Sequence, residues 1–287
     1  MNFKVLHSSA INAAKWNDCV ERYQMDIYDE FHFLNAVCLD NWYGFVWGDY
    51  EKILPFYRKK KWGILPYICM PPFCQKFDNR PLSEEEWEGA WTYLKSNNLK
   101  IDYAVMDRKE ESEAIEKFNF VLDKSDKNID QIRENYSSLL VKNLSKAKKE
   151  LELNLELSHV ALELFLASLP LFKKLVFKKY ALNFWKLKSS LLKYNYALDK
   201  VENKQVAILM YVQLKNRVYL LFPYSSDEGK KMQAMSFLIN SIIEQNEIKV
   251  IDFEGSSIES IANFYSQFGA EKQSFWSLNW KCRFFPI

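Results

Sequence analysis

Glycine is scarce in this chain, with only 7 glycines among its 287 residues. Loops that cradle phosphate with closely approaching backbone, such as the P-loop and the dinucleotide-binding turn, need several glycines at fixed spacing. No segment of the sequence has such spacing, and no arrangement resembles a Ser-His-Asp triad. We therefore expect neither a glycine-rich nucleotide-binding loop nor catalysis by such a triad.

Long uncharged runs are also missing. The longest stretch without a formal charge covers 62–75 and contains Pro66, Pro71 and Pro72, so it is not expected to cross a bilayer as a helix. The first ten residues carry Lys4 and lack the apolar run and cleavage site of a signal peptide. These features favour a cytoplasmic protein without a transmembrane segment.

Cysteine and histidine do not form a metal-binding pattern. The chain has 5 cysteines and 3 histidines at irregular spacing, and an odd number of cysteines cannot all pair with one another. These residues are Cys19, Cys38, Cys69, Cys74, Cys282, His7, His32 and His159. We expect no disulfide framework, no metal site and no tightly bound cofactor.

Large apolar residues are plentiful by contrast. Hydrophobic residues make up 48% of the chain and aromatic residues 16%, including 21 Phe, 16 Tyr and 9 Trp. This composition is typical of a folded protein whose core is built on aromatic rings, not of a disordered chain. A length of 287 residues is about twice that of a usual single domain, which predicts two domains.

The net charge of +2 is unevenly distributed. The interval 141–204 carries thirteen basic residues against six acidic ones, whereas 1–140 has an acidic excess. A basic interval of this kind can attract a phosphorylated cofactor, RNA or a membrane surface. It is equally typical of a helix face that is simply solvated, and the composition does not decide between these two interpretations.

Hydrophobic periodicity predicts alternating strands and helices in the first half of the chain. A helix is expected over Asn12–Arg22, a hairpin over Trp42–Tyr57 with its turn at Gly48-Asp49, and a strand over Trp62–Met70. Ser83 is the expected N-cap of a helix whose buried stripe contains Trp87, Trp91 and Leu94. Further strands are expected at Ile101–Met106 and Phe118–Leu122.

The polar stretch Lys124–Glu134 is the best candidate for a linker, which places the domain boundary near residue 135. A helix is then expected from Ser137 or Ser138 to Glu150, and two more over about 159–195 with a break at Pro170. The first of these helices is expected to bury Leu139, Leu140, Leu144 and Ala147.

The closing part of the chain predicts the order ββαβαβ. Its expected elements are Val206–Leu214, Val218–Pro223, Gly229–Gln245, Val250–Phe253, Ile258–Phe268 and Phe275–Phe284. This order is typical of an α+β domain whose sheet combines antiparallel hairpins with one parallel crossover.

Several short motifs resemble those of one superfamily. The segment 261–270 is similar to the region that ends the acetyl-CoA dependent GNAT fold, and 252–256 together with 137–151 resemble the second half of FemAB-like proteins. In the first half, the residues that match the same group are Trp16, Trp42, Asp49, Tyr50, Leu54, Pro55, Lys60, Lys61, Pro71 and Gln75. The resemblance covers about 12–280. No single motif is highly specific, and the resemblance rests on the order and spacing of the motifs together.

The resemblance implies two GNAT-like domains, each a mixed and mostly antiparallel sheet flanked by helices. We expect them at 1–135 and 136–287, with the last strand packing back on the first domain. It further implies an N-acyltransferase or aminoacyltransferase that uses acyl-CoA or aminoacyl-tRNA as donor. The acceptor would be the amine of a small molecule or peptide, such as a cell-wall or cell-surface precursor. tRNA and peripheral membrane contact are expected as candidate partners, and DNA is not.

Three residues near the end of the chain are the candidate catalytic groups. Asp252 and Glu254 lie two apart at the end of an expected strand, so a regular strand would present both on one face. Tyr265 occupies the position where the resemblance implies a tyrosine that protonates the leaving group. The alternative is that both carboxylates make structural hydrogen bonds and that Tyr265 packs its ring in the core.

Two further groups of residues are candidate binding sites. The resemblance implies a donor site at Ser225, Ser226, Gly229, Lys230 and Lys231, and substrate-binding roles for Lys60, Lys61 and Gln75, with a phosphate contact at the two lysines. The alternative for Lys60 and Lys61 is an ordinary solvated hairpin end. We expect Lys230 and Lys231 at a helix N-terminus, where they would favour phosphate. The serines are equally typical of an ordinary N-cap, and two carboxylates before Gly229 disfavour phosphate. A non-catalytic GNAT-like binding protein that has lost the pyrophosphate loop is therefore the alternative function.

Overall fold

The computed structural model describes residues 3–108, 114–155, 192–255 and 258–282. The chain divides into two compact units, one formed by residues 1–117 with 274–287 and the other by residues 118–273. The sequence predicted a boundary near residue 135, whereas this division assigns 118–135 to the second unit and the residues from Ser274 onward to the first.

The first unit is an α+β structure with two sheets. Its elements begin with β1 (Phe3–His7), α1 (Ala13–Arg22), α2 (Phe31–Cys38), β2 (Tyr43–Trp47) and β3 (Lys52–Phe56). They continue with β4 (Arg58–Lys61), β5 (Leu65–Ile68), α3 (Glu84–Ser96) and β6 (Lys100–Val105). Strands β1, β2 and β3 form an antiparallel sheet, while β4, β5 and β6 lie side by side in a second sheet. Large rings fill its core, including Trp16, Trp42 and Trp87.

Two local predictions in the first unit are confirmed. Strands β2 and β3 form the expected hairpin, whose turn places Gly48 at a φ of 55°. Ser83 is the N-cap of α3 and exchanges hydrogen bonds with Glu86 in a capping box. Both features depend on short-range chemistry that a sequence displays directly.

The strand expected over Trp62–Met70 is confirmed only for Leu65–Ile68, which form β5. The residues before it form a strand that was not predicted, β4, which pairs with β5 in antiparallel fashion, and the chain turns between them at Trp62, Gly63 and Ile64. The backbone at Trp62 has a φ of 52°, a conformation that a bulky residue rarely adopts. The tryptophan itself therefore gives no sign that the turn begins at position 62.

The second unit contains a six-stranded mixed sheet. Its strands are β7 (Ala114–Asp123), β8 (Leu151–Asn154), β9 (Leu192–Asp199), β10 (Lys204–Leu214), β11 (Arg217–Ser225) and β12 (Val250–Gly255). Strand β7 belongs to this unit from Phe118 onward. They lie in the order β7-β12-β11-β10-β9-β8, and only the β11–β12 pair is parallel. The predicted combination of antiparallel hairpins with one parallel crossover is confirmed. Strand β13 (Glu271–Lys281) follows, and its residues Trp276–Lys281 pair with β6.

Five helices accompany this sheet within the described residues. They are α4 (Ile129–Glu134), α5 (Ser138–Glu150), α6 (Asp227–Lys231), α7 (Ala234–Ile243) and α8 (Glu259–Ser266). The single helix expected over Gly229–Gln245 is wrong, because Gln233 adopts a φ of 61° and separates α6 from α7. Helix α7 is buried along most of its length, in keeping with its run of apolar residues.

The proposed linker segment is ordered structure. Asn128 caps α4 in a capping box, and Ile132 of this helix is buried in the core of the second unit. The ammonium group of Lys124 is buried and donates hydrogen bonds to the carbonyl oxygens of Ile243 (2.5 Å) and Gln245 (2.6 Å). Lys124 thereby satisfies carbonyl groups at the C-terminal end of α7, which otherwise lack intrahelical partners.

Helix α5 begins where the sequence predicted, with Ser137 as its N-cap. Its buried residues are Leu140, Leu144 and Ala147, but Leu139 is 56% exposed. The expectation that Leu139 points inward is wrong, because it lies about 100° around the helix from Leu140 and therefore falls outside the buried stripe.

Candidate functional site

The two parallel strands of the second unit pair only over a short distance. Pairing joins Arg217–Tyr219 of β11 with Val250–Asp252 of β12, after which β11 continues to Ser225 and β12 to Gly255 without further pairs between them. Strand β11 also contains a bulge at Leu221, which bends a strand and increases its twist. Ligands of mixed α/β sheets commonly bind outside the C-terminal ends of parallel strands, so this end is the candidate site.

A second bulge shapes the end of β12. Asp252 pairs with Val121 and Gly255 pairs with Asn119, so β12 has one residue more than β7 over this interval. Glu254 lies in the bulge with a φ of 63°, a left-handed conformation that costs a non-glycine residue energy. The prediction that Asp252 and Glu254 share a face assumed regular alternation, which this bulge interrupts.

Asp252 is completely buried and is the centre of a polar network. Its carboxylate accepts hydrogen bonds from Nη2 of Arg217 at 2.7 Å and from Nδ2 of Asn119 at 3.3 Å. It also accepts a bond from the backbone N–H of Glu254 at 2.9 Å. Asp252 therefore supports the bulge from within and holds Glu254 in its left-handed conformation.

Sequence reasoning missed Arg217 and Asn119. Arg217 is separated from Asp252 by 35 residues and Asn119 by 133, so no local motif joins them. The one available signal is the arginine that opens β11 in an otherwise apolar strand. A charged residue in such a strand requires a partner, and the partner is the only acidic residue in the paired part of β12.

Tyr265 lies on α8 with its ring half-buried against the core. Its nearest ring is Phe253 of β12, with centroids 5.1 Å apart, and Phe120 and Phe264 also contact it. Burial raises the pKa of Tyr265 to about 12, and the charges of Glu254 and Asp252 add to this rise. The hydroxyl is therefore protonated at neutral pH and has carboxylates in its vicinity.

The expected donor-loop residues begin a helix. Ser226 is the N-cap of α6, and its hydroxyl accepts a hydrogen bond from the backbone N–H of Gly229 at 3.0 Å. Ser225 ends β11, and its hydroxyl is buried without a hydrogen-bond partner among the residues that the structure describes. The interpretation of Ser226 as an ordinary N-cap is confirmed.

Gly229 is required by close packing of α6 against β10. A Cβ atom at this position would lie 2.3 Å from the carbonyl oxygen of Val206, which is backbone and cannot rotate away. We expect Gly229→Ala to lower the free energy of unfolding by about 1–3 kcal/mol, because the helix must move away from the strand. Chemical denaturation measures this loss. Lys230→Ala is the control, since Lys230 is exposed on the same helix, and equal stabilities of the two variants would contradict the packing argument.

Lys230 and Lys231 lie in the last turn of α6 and not at its N-terminus, so that expectation is wrong. The first turn instead contains Asp227 and Glu228, which complement the positive end of the helix. Lys230 is exposed and forms an ion pair with Asp227 at 2.8 Å. The carboxylates therefore occupy the place where a phosphate-binding helix would present its amides.

Comparison with solved structures identifies the architecture. The crystal structure of FemX superposes with a TM-score of 0.66 at 12% identity, covering 95% of this chain and 96% of that one. The chain has a FemX-like tandem GNAT fold. A tandem GNAT protein from the clavulanic acid biosynthesis pathway matches with a TM-score of 0.55 at 10% identity, covering 96% of this chain and 98% of its own. The structure of L-PGS from Bacillus licheniformis matches with a TM-score of 0.56 at 10% identity, covering 95% of this chain and 92% of its own.

The fold expected from the FemAB-like motifs is thus confirmed. No protein-family model and no curated protein matches the sequence. At identities of 10–12% these likenesses concern the tandem GNAT fold alone.

The residues expected to bind substrate, Lys60, Lys61 and Gln75, lie in the first unit. Lys60 and Lys61 are exposed at the end of β4, and the ammonium group of Lys61 lies 4.7 Å from the ring centroid of Trp62. Gln75 is half-buried in the segment after Pro71-Pro72. The phosphate-binding or acceptor-binding roles of these three residues remain predictions.

A buried lysine follows directly after Gln75. Lys76 is 1% exposed, and its ammonium group lies 3.5 Å from Oδ2 of Asp26 and over the rings of Tyr28 and Phe275. A lysine in this position is stabilised by an opposite charge and by the negative faces of aromatic rings. The arrangement fixes the chain on the C-terminal side of Gln75.

Two buried aspartates belong to the same part of the first unit. Asp29 accepts hydrogen bonds from the backbone N–H of Asp78, and Asp78 binds the guanidinium group of Arg80. Burial raises the pKa of Asp29 well above its usual range, and the charge of Asp78 raises it further. Asp78 thus has a cationic partner, whereas burial penalises the charged form of Asp29.

One cavity of the second unit does not involve the candidate catalytic groups. It has a volume of about 480 Å³ in the second unit and is lined by residues that include Leu155, Leu192, Tyr194 and Gln245. Neither Glu254 nor Tyr265 lines it. Leu155 and Leu192 flank an interval outside the described residues, so the cavity is not assigned a ligand.

Some predictions lie outside the described residues. They include His159 and most of the two helices expected over about 159–195, with their break at Pro170. The last part of that expectation is wrong, because Leu192–Asp199 form strand β9. In the described part of the chain, no cluster of three or more His, Cys, Asp or Glu side chains could hold a metal ion. In that same part, no helix combines the length and apolar character needed to cross a membrane.

Proposed function

We propose that this chain is an N-acyltransferase or aminoacyltransferase of the FemAB/GNAT type. It would transfer an acyl or aminoacyl group from acyl-CoA or aminoacyl-tRNA to an amine of a small molecule or peptide, such as a cell-surface precursor. The observation that carries the proposal is the end of β12, where a bulge places Glu254 in a left-handed conformation and α8 brings Tyr265 against the same strand.

The reaction needs one group that accepts a proton and one that donates a proton. The amine nitrogen attacks the acyl carbonyl carbon, a C–N bond forms, and the C–S bond of a thioester or the C–O bond of an ester breaks. Glu254 takes the proton that the amine loses. Tyr265, protonated because its pKa is about 12, supplies a proton to the departing thiolate or alkoxide. Exchange with solvent then restores both groups.

Asp252 serves this site indirectly under the proposal. Its carboxylate is already engaged by Arg217, Asn119 and the backbone of Glu254, so its oxygen atoms are committed to the fold. Its contribution is to hold the bulge that positions Glu254. Under this assignment, Asp252 positions Glu254, and Glu254 transfers the proton.

The donor class is the open part of the proposal. Asp227 and Glu228 begin α6, and two carboxylates there repel a pyrophosphate. This observation favours the alternative function, a non-catalytic GNAT-like binding protein that retains the cleft and has lost the phosphate loop. Among transferases, it also favours a donor whose phosphates do not bind at the N-terminus of α6, and Lys230 and Lys231 are the proposed contacts for them.

The decisive experiment begins with ligand binding. Thermal denaturation of the full chain with a panel of acyl-CoAs, aminoacyl-tRNA and nucleotide-linked cell-wall peptides identifies a ligand by the stabilisation that it produces. Turnover is then measured with that ligand and an amine acceptor. A ligand that stabilises the protein without any turnover would support the binding-protein alternative.

Glu254→Gln tests the base in that turnover assay. We expect kcat/KM to fall by roughly 10²-fold, because a glutamine cannot accept the proton of the amine. Glu259→Gln is the matched control, since Glu259 is an exposed carboxylate on the first turn of α8. Equal activities of the two variants would remove Glu254 from the mechanism.

A further inference from the structure

The turn between β4 and β5 exposes two large apolar side chains. Trp62 is 77% exposed and Ile64 is 73% exposed, and only Gly63 separates them. A hydrogen bond of 3.3 Å from the N–H of Ile64 to the carbonyl oxygen of Lys61 closes the turn. Polar residues and glycine are the usual choice for such a turn, so these two side chains are not explained by the turn itself.

The backbone of this turn is also strained. Trp62 has a φ of 52° and Gly63 a φ of 75°, and only the glycine adopts such a conformation without cost. A tryptophan that is kept in an unfavourable conformation and in water indicates a role outside the folding of the chain.

Positive charge surrounds these apolar side chains. The segment 58–64 contains Arg58, Lys59, Lys60 and Lys61 and no acidic residue. Lys60 and Lys61 are exposed, and the ammonium group of Lys61 lies over the Trp62 ring at 4.7 Å. The tip therefore combines an indole, an aliphatic side chain and a cluster of ammonium groups on one short hairpin.

We propose that this hairpin tip docks on the surface of a membrane that contains anionic lipids. Tryptophan is enriched at the membrane interface, where its ring lies among the headgroups. Ile64 would enter the boundary of the acyl chains, and the lysines would contact anionic headgroups. Single-stranded RNA also binds lysine and tryptophan, but stacking on bases uses aromatic faces and gives Ile64 no role. The membrane accounts for both apolar residues.

The experiment measures co-sedimentation of the full chain with vesicles. One set of vesicles is phosphatidylcholine alone, and the other is phosphatidylcholine with phosphatidylglycerol in equal parts. We expect binding to the anionic vesicles only, with an affinity that falls as salt is raised. Trp62→Ser with Ile64→Ser, and separately Lys60→Glu with Lys61→Glu, are each expected to weaken this binding at least about tenfold.

Matched controls come from the second unit. Val201 is 92% exposed at the turn between β9 and β10, so Val201→Ser removes an exposed aliphatic side chain away from the tip. Lys142→Glu with Lys149→Glu reverses two exposed lysines of α5 within the basic interval. Both controls are expected to bind anionic vesicles as the unaltered chain does.

The vesicle-binding results decide whether the hairpin tip docks on anionic membranes. Loss of vesicle binding in both tip variants, with both controls unaffected, supports the proposal. Failure of the unaltered chain to prefer anionic vesicles overturns it, as does equal loss in the α5 variant. A filter-binding assay with tRNA is run in parallel. If the tip variants lose tRNA binding while vesicle binding is unchanged, the tip is a nucleic-acid contact and the membrane proposal is wrong. The proposal is independent of acyl transfer.

Discussion

Tyr265→Phe should lower kcat by about 10²–10⁴-fold while KM changes little. The substitution removes only the hydroxyl, which the proposed mechanism uses to protonate the leaving group. The ring would keep its contacts with Phe253 and Phe120, so the fold should be preserved. Steady-state kinetics with the donor identified by ligand binding measure the change, and thermal denaturation verifies that the variant is folded.

Tyr136→Phe is the matched control for this result. Tyr136 is another buried tyrosine of the second unit, its ring packs against Phe268, and burial raises its pKa. Its hydroxyl bonds Oδ1 of Asn240 at 3.2 Å, so its removal should cost about 1 kcal/mol of unfolding free energy and leave the rate unchanged. If Tyr265→Phe behaved in the same way, Tyr265 would be a core residue and not the proton donor.

The second large effect concerns the stability of the second unit. We expect Asp252→Asn to lower the free energy of unfolding by about 3 kcal/mol, because it leaves the Arg217 guanidinium facing a neutral partner. Arg217→Met should cost at least as much, since it leaves a carboxylate that is 0% exposed without its cation. The double variant should lose less than the sum of the two, because no uncompensated charge remains.

Denaturant unfolding of the four proteins measures this coupling. Asp227→Asn serves as the control, because it breaks the ion pair with Lys230, whose two side chains are 84% and 67% exposed. Water screens such a pair, so no measurable loss of stability is expected. Strictly additive losses in the Asp252 and Arg217 variants would show that the two side chains do not support one another.

The activity of the Asp252→Asn variant distinguishes a positioning role of Asp252 from a catalytic role. If Asp252 acts only through the bulge, Asp252→Asn should retain part of the activity that Glu254→Gln loses, since the asparagine oxygen can still accept the N–H of Glu254. A complete loss of turnover in a folded Asp252→Asn protein would instead require direct contact of Asp252 with the substrate.

Local features of the fold were predictable because a few neighbouring residues determine them. The capping box of Ser83 and Glu86, the N-caps Ser137 and Ser226, and the hairpin turn at Gly48 all depend on contacts within four residues. The alternation of apolar strands and helices in the closing part of the chain likewise predicted its single parallel crossover.

Predictions failed where the backbone leaves its regular path. Trp62, Gln233 and Glu254 all adopt positive φ. Trp62 lies in a turn where a strand was expected to begin, Gln233 separates two helices that were expected to be one, and Glu254 lies in a bulge that interrupts the alternation of β12. None of these residues is a glycine, so their sequence gives no sign of a left-handed conformation. Leu139 was expected to be buried because it is apolar, but it is exposed. Its position around the helix, and not its hydropathy, decides its exposure.

The sequence by itself determined the composition of the core, several helix caps, the order of the strands in the closing part of the chain and the motifs that led to the tandem GNAT fold. Only the tertiary structure decided that Asp252 is held by Arg217 and Asn119 while Glu254 is turned away from the regular strand path. The physical reason is that a buried charge must be matched by partners from other strands. Those partners are brought together by sheet pairing across long intervals of chain, which no local pattern records.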